Sequence, residues 1–164
     1  MKIAHIPNPF GRRAGTNEPE RIVIHSMGEF IELGERDMPA WMYLERLELS
    51  AHAHVCPSGV IVKTRDSDQG AWHAKGHNAN TLGVEVLVPG VHTYATFLEE
   101  IRNPYVDEPQ LTALVELVRE WVERFKITPD RVVGHDSLTS RKKDPGEGFP
   151  WETFLGAVFD GTGG

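Results

Sequence analysis

The chain has a single cysteine, Cys56, in 164 residues, so no internal disulfide can form and the fold must be held by its core. Long apolar runs are missing as well. No segment approaches the roughly 20 consecutive apolar residues that span a bilayer, which excludes a membrane-spanning helix. Residues 1–9 carry one lysine and no apolar stretch long enough for a signal-peptide core, so the expectation is a chain made in the cytoplasm without a leader and without stable membrane association. Positive charge is also short. Lys and Arg number 17 against 24 Asp and Glu, a net charge of −7, and a nucleic-acid partner is not expected because phosphate binding needs a basic face. Basic residues cluster once, at Arg141-Lys142-Lys143.

What remains is 40% hydrophobic and 25% charged, ordinary for one globular domain of this length. Residues 1–20, rich in Pro, Gly, Asn and Arg, read as an arm lying over a domain of residues 21–164. Arg21 to His25 is a short β-branched run typical of a strand buried on both faces, with His25 at its C-terminal end. Residues 39–49 predict a short helix with Pro39 in its first turn. Residues 51–55 and 60–64 flank Pro57-Ser58-Gly59 and predict a β-hairpin. Residues 65–81 hold few aliphatics and predict a long functional loop.

Residues 82–88 predict an interior strand in which one charged residue, Glu85, requires a partner or a task. The strongest helix signal covers residues 107–126, where Leu111, Leu114, Val115, Val118, Trp121, Val122 and Phe125 form one apolar face; Asp107 and Gln110 have capping-box spacing. Residues 131–134 predict another buried strand, ending just before His135, and residues 151–159 a closing helix. Strands alternating with helices predict an α/β fold: a single domain with a central mixed β-sheet flanked by helices.

His25, His135 and Asp144 are candidate metal ligands, each at or soon after the end of a buried strand, where ligands bind in open α/β sheets. Each taken alone is weak, because a strand-end His is commonly a hydrogen-bonded structural residue and Asp-Pro-Gly is a common turn opener. His52 and His54 form a rival pair, two residues apart and so on one face of a strand.

Six segments in order carry a resemblance: Ile22-Val23-Ile24-His25, Ser50-Ala51-His52, Ala71-Trp72-His73-Ala74-Lys75-Gly76, Asn80-Thr81-Leu82-Gly83-Val84-Glu85, Gly134-His135, and Arg141-Lys142-Lys143-Asp144-Pro145-Gly146. Together they resemble the zinc-dependent N-acetylmuramoyl-L-alanine amidases, which include phage amidases, cytoplasmic anhydromuramoyl amidases and peptidoglycan recognition proteins. The resemblance implies Zn2+ held by His25, His135 and Asp144, with Glu85 as general base and Lys142 stabilising the oxyanion. His73 is a candidate for binding substrate or helping at the oxyanion, Asn80 for contacting the peptide stem or bracing the loop, and His52 for a place behind the metal ligands. At Ala51 the phage type carries a tyrosine; here that tyrosine is absent and Glu85 is present, as in the cytoplasmic type, whereas the loop His73-Ala74-Lys75-Gly76-His77-Asn78 looks more like the phage one.

The expected substrate is peptidoglycan or a muropeptide, cut between N-acetylmuramic acid and L-alanine by a phage or bacterial lytic enzyme acting on the wall after release. Two alternatives stand beside it: a recycling amidase acting on soluble anhydromuropeptides, and a non-catalytic peptidoglycan-binding module. Retention of His25, His135, Asp144 and Glu85 argues against the last.

Overall fold

The computed structural model describes residues 1–12 and 17–160. One seven-stranded mixed sheet organises it. In chain order the strands are β1 (Lys2–His5), β2 (Arg21–Leu33), β3 (Arg36–Pro39), β4 (Ala53–Val55), β5 (Val60–Lys63), β6 (Thr81–His92) and β7 (Val132–Gly134). The helices are α1 (Ala40–Arg46), α2 (Tyr94–Glu100), α3 (Glu108–Phe125), α4 (His135–Leu138) and α5 (Trp151–Phe159). The sheet runs β1-β5-β4-β6-β2-β3, and β7 also pairs with β2. The mixed sheet flanked by helices agrees with the sequence expectation.

Side chains alternate across the two longest strands, and the two faces do different things. Ile22, Ile24, Leu82, Val84 and Val86 turn toward α3 and α5, joining Leu114, Leu117, Val118, Phe154 and Val158 in the core. The opposite face carries Gly83, Glu85 and His25, with α1 packed over it.

Several sequence expectations are corrected in detail. Part of the arm is a sheet strand: β1 pairs in parallel with β5, Lys2 opposite Val60 through His5 opposite Lys63. The strand holding His25 does not end there but continues to Leu33 and returns as β3. Alternation of apolar residues fades after Met27 because β2 leaves the core, so the sequence signal stops before the strand does. Helix α1 ends at Arg46, short of Leu49.

Asp107 is the N-cap of α3, but its side chain makes no capping bond. Gln110, buried, instead donates from Nε2 to the carbonyls of Val55 at 2.9 Å and Leu87 at 2.8 Å, tying the helix to β4 and β6. A capping box does exist one helix earlier, where Thr93 and Thr96 close the start of α2. The hairpin formed as expected, with Gly59 at φ 86° in its turn.

Candidate metal centre

The site lies where the ladder along β2 is interrupted. One edge of β2 pairs with β6. The other edge pairs with β7 only at residues 22–24 and with β3 only at residues 30–33, leaving the backbone between them without a strand partner. Gly134 ends β7 opposite Ile24, and the chain turns away as α4, so His135 emerges beside His25.

The Asp144 loop fills the gap. Ser26 N–H donates to Asp144 Oδ2 at 3.4 Å, Ser26 Oγ donates to the Pro145 carbonyl at 3.5 Å, and Tyr105 Oη donates to the same carbonyl at 2.8 Å. The Asp136 N–H donates to the Asp144 carbonyl at 2.8 Å. Gly146, at φ 85°, lies so close to Ile101 that an added Cβ would sit 2.4 Å from its carbonyl oxygen. A glycine therefore lets this loop reach the sheet.

Three ligand atoms converge there. His25 Nδ1 is 3.0 Å from His135 Nδ1, and Asp144 Oδ2 is 3.3 Å from the first and 3.2 Å from the second. Tetrahedral zinc bound at about 2.0–2.1 Å separates its ligands by roughly 3.3 Å, so the spacing fits such an ion. Among the described residues this trio is the group that could hold a metal. All three side chains are buried. Burial raises the Asp144 pKa, but the imidazoles of His135 and His25 beside it outweigh that and hold the carboxylate well below its ordinary range. Burial pushes the His25 imidazole down, against the pull of Asp144.

Donor accounting fixes the tautomer of His25. Thr81 Oγ1 donates its one proton to the carbonyl of His77 at 3.0 Å or of Asn78 at 3.2 Å. It must therefore accept from His73 Nε2 at 2.9 Å, leaving His73 Nδ1 to accept from His25 Nε2 at 2.8 Å. His25 Nδ1 then carries a lone pair aimed at His135 and Asp144. An orienting hydrogen bond on the far nitrogen is the usual support of a metal-binding histidine. His73 can lie against β6 because residue 83 is glycine: a Cβ there would come within 2.5 Å of the His73 ring.

Glu85 is opposite His25 on β6 and is buried, with Oε2 lacking any partner. Burial first, then the charge of Asp144, raises its pKa well above the ordinary value, while Lys142 opposes the shift. His25, Glu85 and Asp144 line a cleft of about 260 Å³. Beside it opens a groove of about 800 Å³ whose lining includes Trp72, His73, Lys75, His135, Arg141 and Lys142.

Not every residue singled out in the sequence reaches the groove. Asn80, at φ 54°, lines neither hollow; its side-chain oxygen accepts from Glu18 N–H at 3.4 Å. His73 lines both, with both ring nitrogens already engaged. The rival pair does not share a metal. His52 precedes β4, so the alternation that would align it with His54 does not apply; its Nε2 donates to the Gln69 carbonyl at 2.8 Å and its Nδ1 accepts from Gly83 N–H at 3.0 Å. His52 meets Trp121 of α3, whereas His54 meets Trp41 of α1. Thr81 and Tyr105 were not singled out from sequence. Thr81 sits inside a quoted segment, but nothing in the sequence joins Tyr105 to a loop 40 residues away.

The chain is 28% identical over 128 residues to the 1,6-anhydro-N-acetylmuramyl-L-alanine amidase AmpD of Haemophilus influenzae, covering 73% of this chain and 64% of that protein. It therefore spans just under two thirds of that relative's length. It is 24% identical over 159 residues to N-acetylmuramoyl-L-alanine amidase A of Achromobacter lyticus, covering 90% and 88% of the two chains. The solved structure of N-acetylmuramoyl-L-alanine amidase LysC from Clostridium intestinale has the same fold, with a TM-score of 0.73 at 22% identity and 98% coverage of both chains. The family model described as N-acetylmuramoyl-L-alanine amidase matches residues 15–147, a span that includes His25, His135 and Asp144, and the chain belongs to that family.

Proposed function

We propose that this chain is a zinc-dependent N-acetylmuramoyl-L-alanine amidase that hydrolyses the amide joining N-acetylmuramic acid to L-alanine in peptidoglycan. The observation that carries the reading is the convergence of His25 Nδ1, His135 Nδ1 and Asp144 Oδ2 beside a buried carboxyl, Glu85, at the floor of a groove. Held by those three atoms, zinc would supply Lewis-acid chemistry.

The chain's own groups would do the rest. Glu85, on the cleft wall beside the three converging atoms, takes a proton from the attacking water and returns it to the leaving amine, and its raised pKa suits both halves of that exchange. Lys142, on the groove wall, donates to the oxygen of the carbonyl as negative charge develops there. His73 orients His25 through the bond between their rings, and His73 and Thr81 together form the support behind the metal centre. Arg141 and Lys75 along the groove complement the carboxylates of a stem peptide, and Trp72, 43% exposed, presents an aromatic face for a sugar ring.

The setting we propose is a phage or bacterial lytic enzyme made in the cytoplasm and acting on the wall after release. No helix of the described residues is long and apolar enough to cross a membrane. Likeness to the Haemophilus anhydro-muramyl amidase favours a second reading, recycling of soluble anhydromuropeptides. One experiment tests both: zinc content, together with release of L-alanine amino groups from intact sacculi and from soluble anhydromuropeptides, with and without chelator. Chelator-sensitive amine release without new reducing sugar ends supports the amidase, and preference for one substrate selects the setting. Absence of zinc and of amine release from both substrates refutes the proposal.

A further inference from the structure

His25 of β2, Glu85 of β6 and His54 of β4 form one row across three neighbouring strands. Paired residues on adjacent strands project to the same face, with backbones about 4.8 Å apart, so Glu85 has an imidazole as its neighbour on either side. The His25 ring is accounted for by the metal centre and His73. The His54 ring is not. It is fully buried, yet neither Nδ1 nor Nε2 has a hydrogen-bond partner, and the next residue in its row, Glu85, has its own unpartnered oxygen.

Buried polar atoms are nearly always paired, and leaving one unpaired costs about 1–3 kcal/mol. One of the two ring nitrogens carries the N–H, and with the Glu85 oxygen it supplies the donor and the acceptor of one interaction. Trp41 of α1 packs edge-on against His54, ring centroids 6.3 Å apart, and closes that side of the ring. A metal role is taken by the other end of the row, since His54 is outside the convergent trio. Cross-strand contact with Glu85 is the remaining use of an imidazole N–H in that position.

We propose that His54 is a positioning residue for Glu85: its ring N–H is donated to a buried water that in turn donates to Oε2 of Glu85, and this bridge holds the carboxyl turned toward His25 and the metal centre. A carboxyl that must accept a proton and then release it to a different atom works only if it stays aimed at the reacting groups. His54 does not touch substrate. It fixes one oxygen of Glu85 and so leaves the other free to face the cleft. The functional consequence rests on the amidase reading of Glu85; the pairing itself does not.

Two measurements test the inference separately from that reading. In protein labelled with 15N-histidine, the His54 ring N–H should give a protected, downfield proton signal that is lost or moved in Glu85→Ala. A His54 ring that is unaffected by Glu85→Ala overturns the pairing, whether or not the protein proves to be an amidase. In the zinc-loaded protein, His54→Leu should lower kcat about tenfold with KM and zinc content unchanged, and His54→Asn should restore part of the loss. Wild-type kcat in a folded His54→Leu protein overturns the positioning role, and a His54→Leu protein that fails to fold leaves the NMR comparison on the wild-type ring as the deciding result.

Discussion

At the scale of single residues, the proposed roles separate side chains that could hold a metal from those that would act beside it. His25→Ala or Asp144→Ala removes a convergent ligand and should abolish both zinc binding and amine release, measured by metal analysis and by titrating L-alanine amino groups. Glu85→Ala leaves all three ligands in place; it should keep one equivalent of zinc while turnover falls by about 10²–10⁴. His73→Ala cuts the hydrogen bond that orients His25. Its expected signature is zinc affinity weakened by about 10–100-fold in chelator competition. A His73 that served only substrate would raise KM and leave the affinity for zinc untouched. Cys56 stands apart: burial, then Glu29, pushes its thiol up to about 11, which keeps this half-buried group protonated and unreactive.

At the scale of elements, two contacts link strands and helices to the site. Gly83 of β6 leaves room for the His73 ring, and Gly83→Ala puts a Cβ within 2.5 Å of it. That variant should reproduce the zinc-affinity loss of His73→Ala although residue 83 has no ligand atom, and the same chelator competition reads it. Gln110 ties α3 to β4 and β6 through two carbonyls. Gln110→Ala strips both carbonyls of a buried donor and should cost about 2–3 kcal/mol in urea unfolding, with zinc stoichiometry unchanged. Those two bonds also withdraw Gln110 from the capping box expected with Asp107, because a side chain bridging two strands cannot also reach back to the N-cap backbone.

Acid should destabilise the molecule as a whole, and His52 supplies a defined part of the effect. Its ring is fully buried, with both nitrogens committed to backbone, and burial lowers its pKa from 6.5 to about 4. Above pH 6.5 the ring is neutral in both folded and unfolded chains, and its full contribution to stability is present. As pH falls from 6.5 toward 4 the unfolded chain takes up a proton that the folded chain refuses, so stability is lost through that window. The loss amounts to about 3 kcal/mol for this residue. Urea midpoints of zinc-free protein at pH 8, 6, 5 and 4 should fall most between the last three, and His52→Gln should flatten that part of the profile.

The sequence by itself determined the class of the fold and named the residues of the candidate metal centre. Apolar alternation and helical periodicity marked the core strands and α3 because burial acts on every residue of such a segment, and the ordered motifs singled out His25, His135, Asp144 and Glu85. Only the tertiary structure decided the rest. The true length of β2, the gap in its edge that admits the Asp144 loop, the Tyr105 brace, the relay from His25 through His73 to Thr81, and the row joining His54 to Glu85 each depend on which strand lies next to which. Register between strands is set by the packing of the whole sheet, and no local run of residues encodes its neighbour across 30 or more positions of chain. Asn80 illustrates the limit: a motif position identified it with two readings, stem contact or loop brace, and only the folded chain shows its left-handed backbone and its bond from the Glu18 amide.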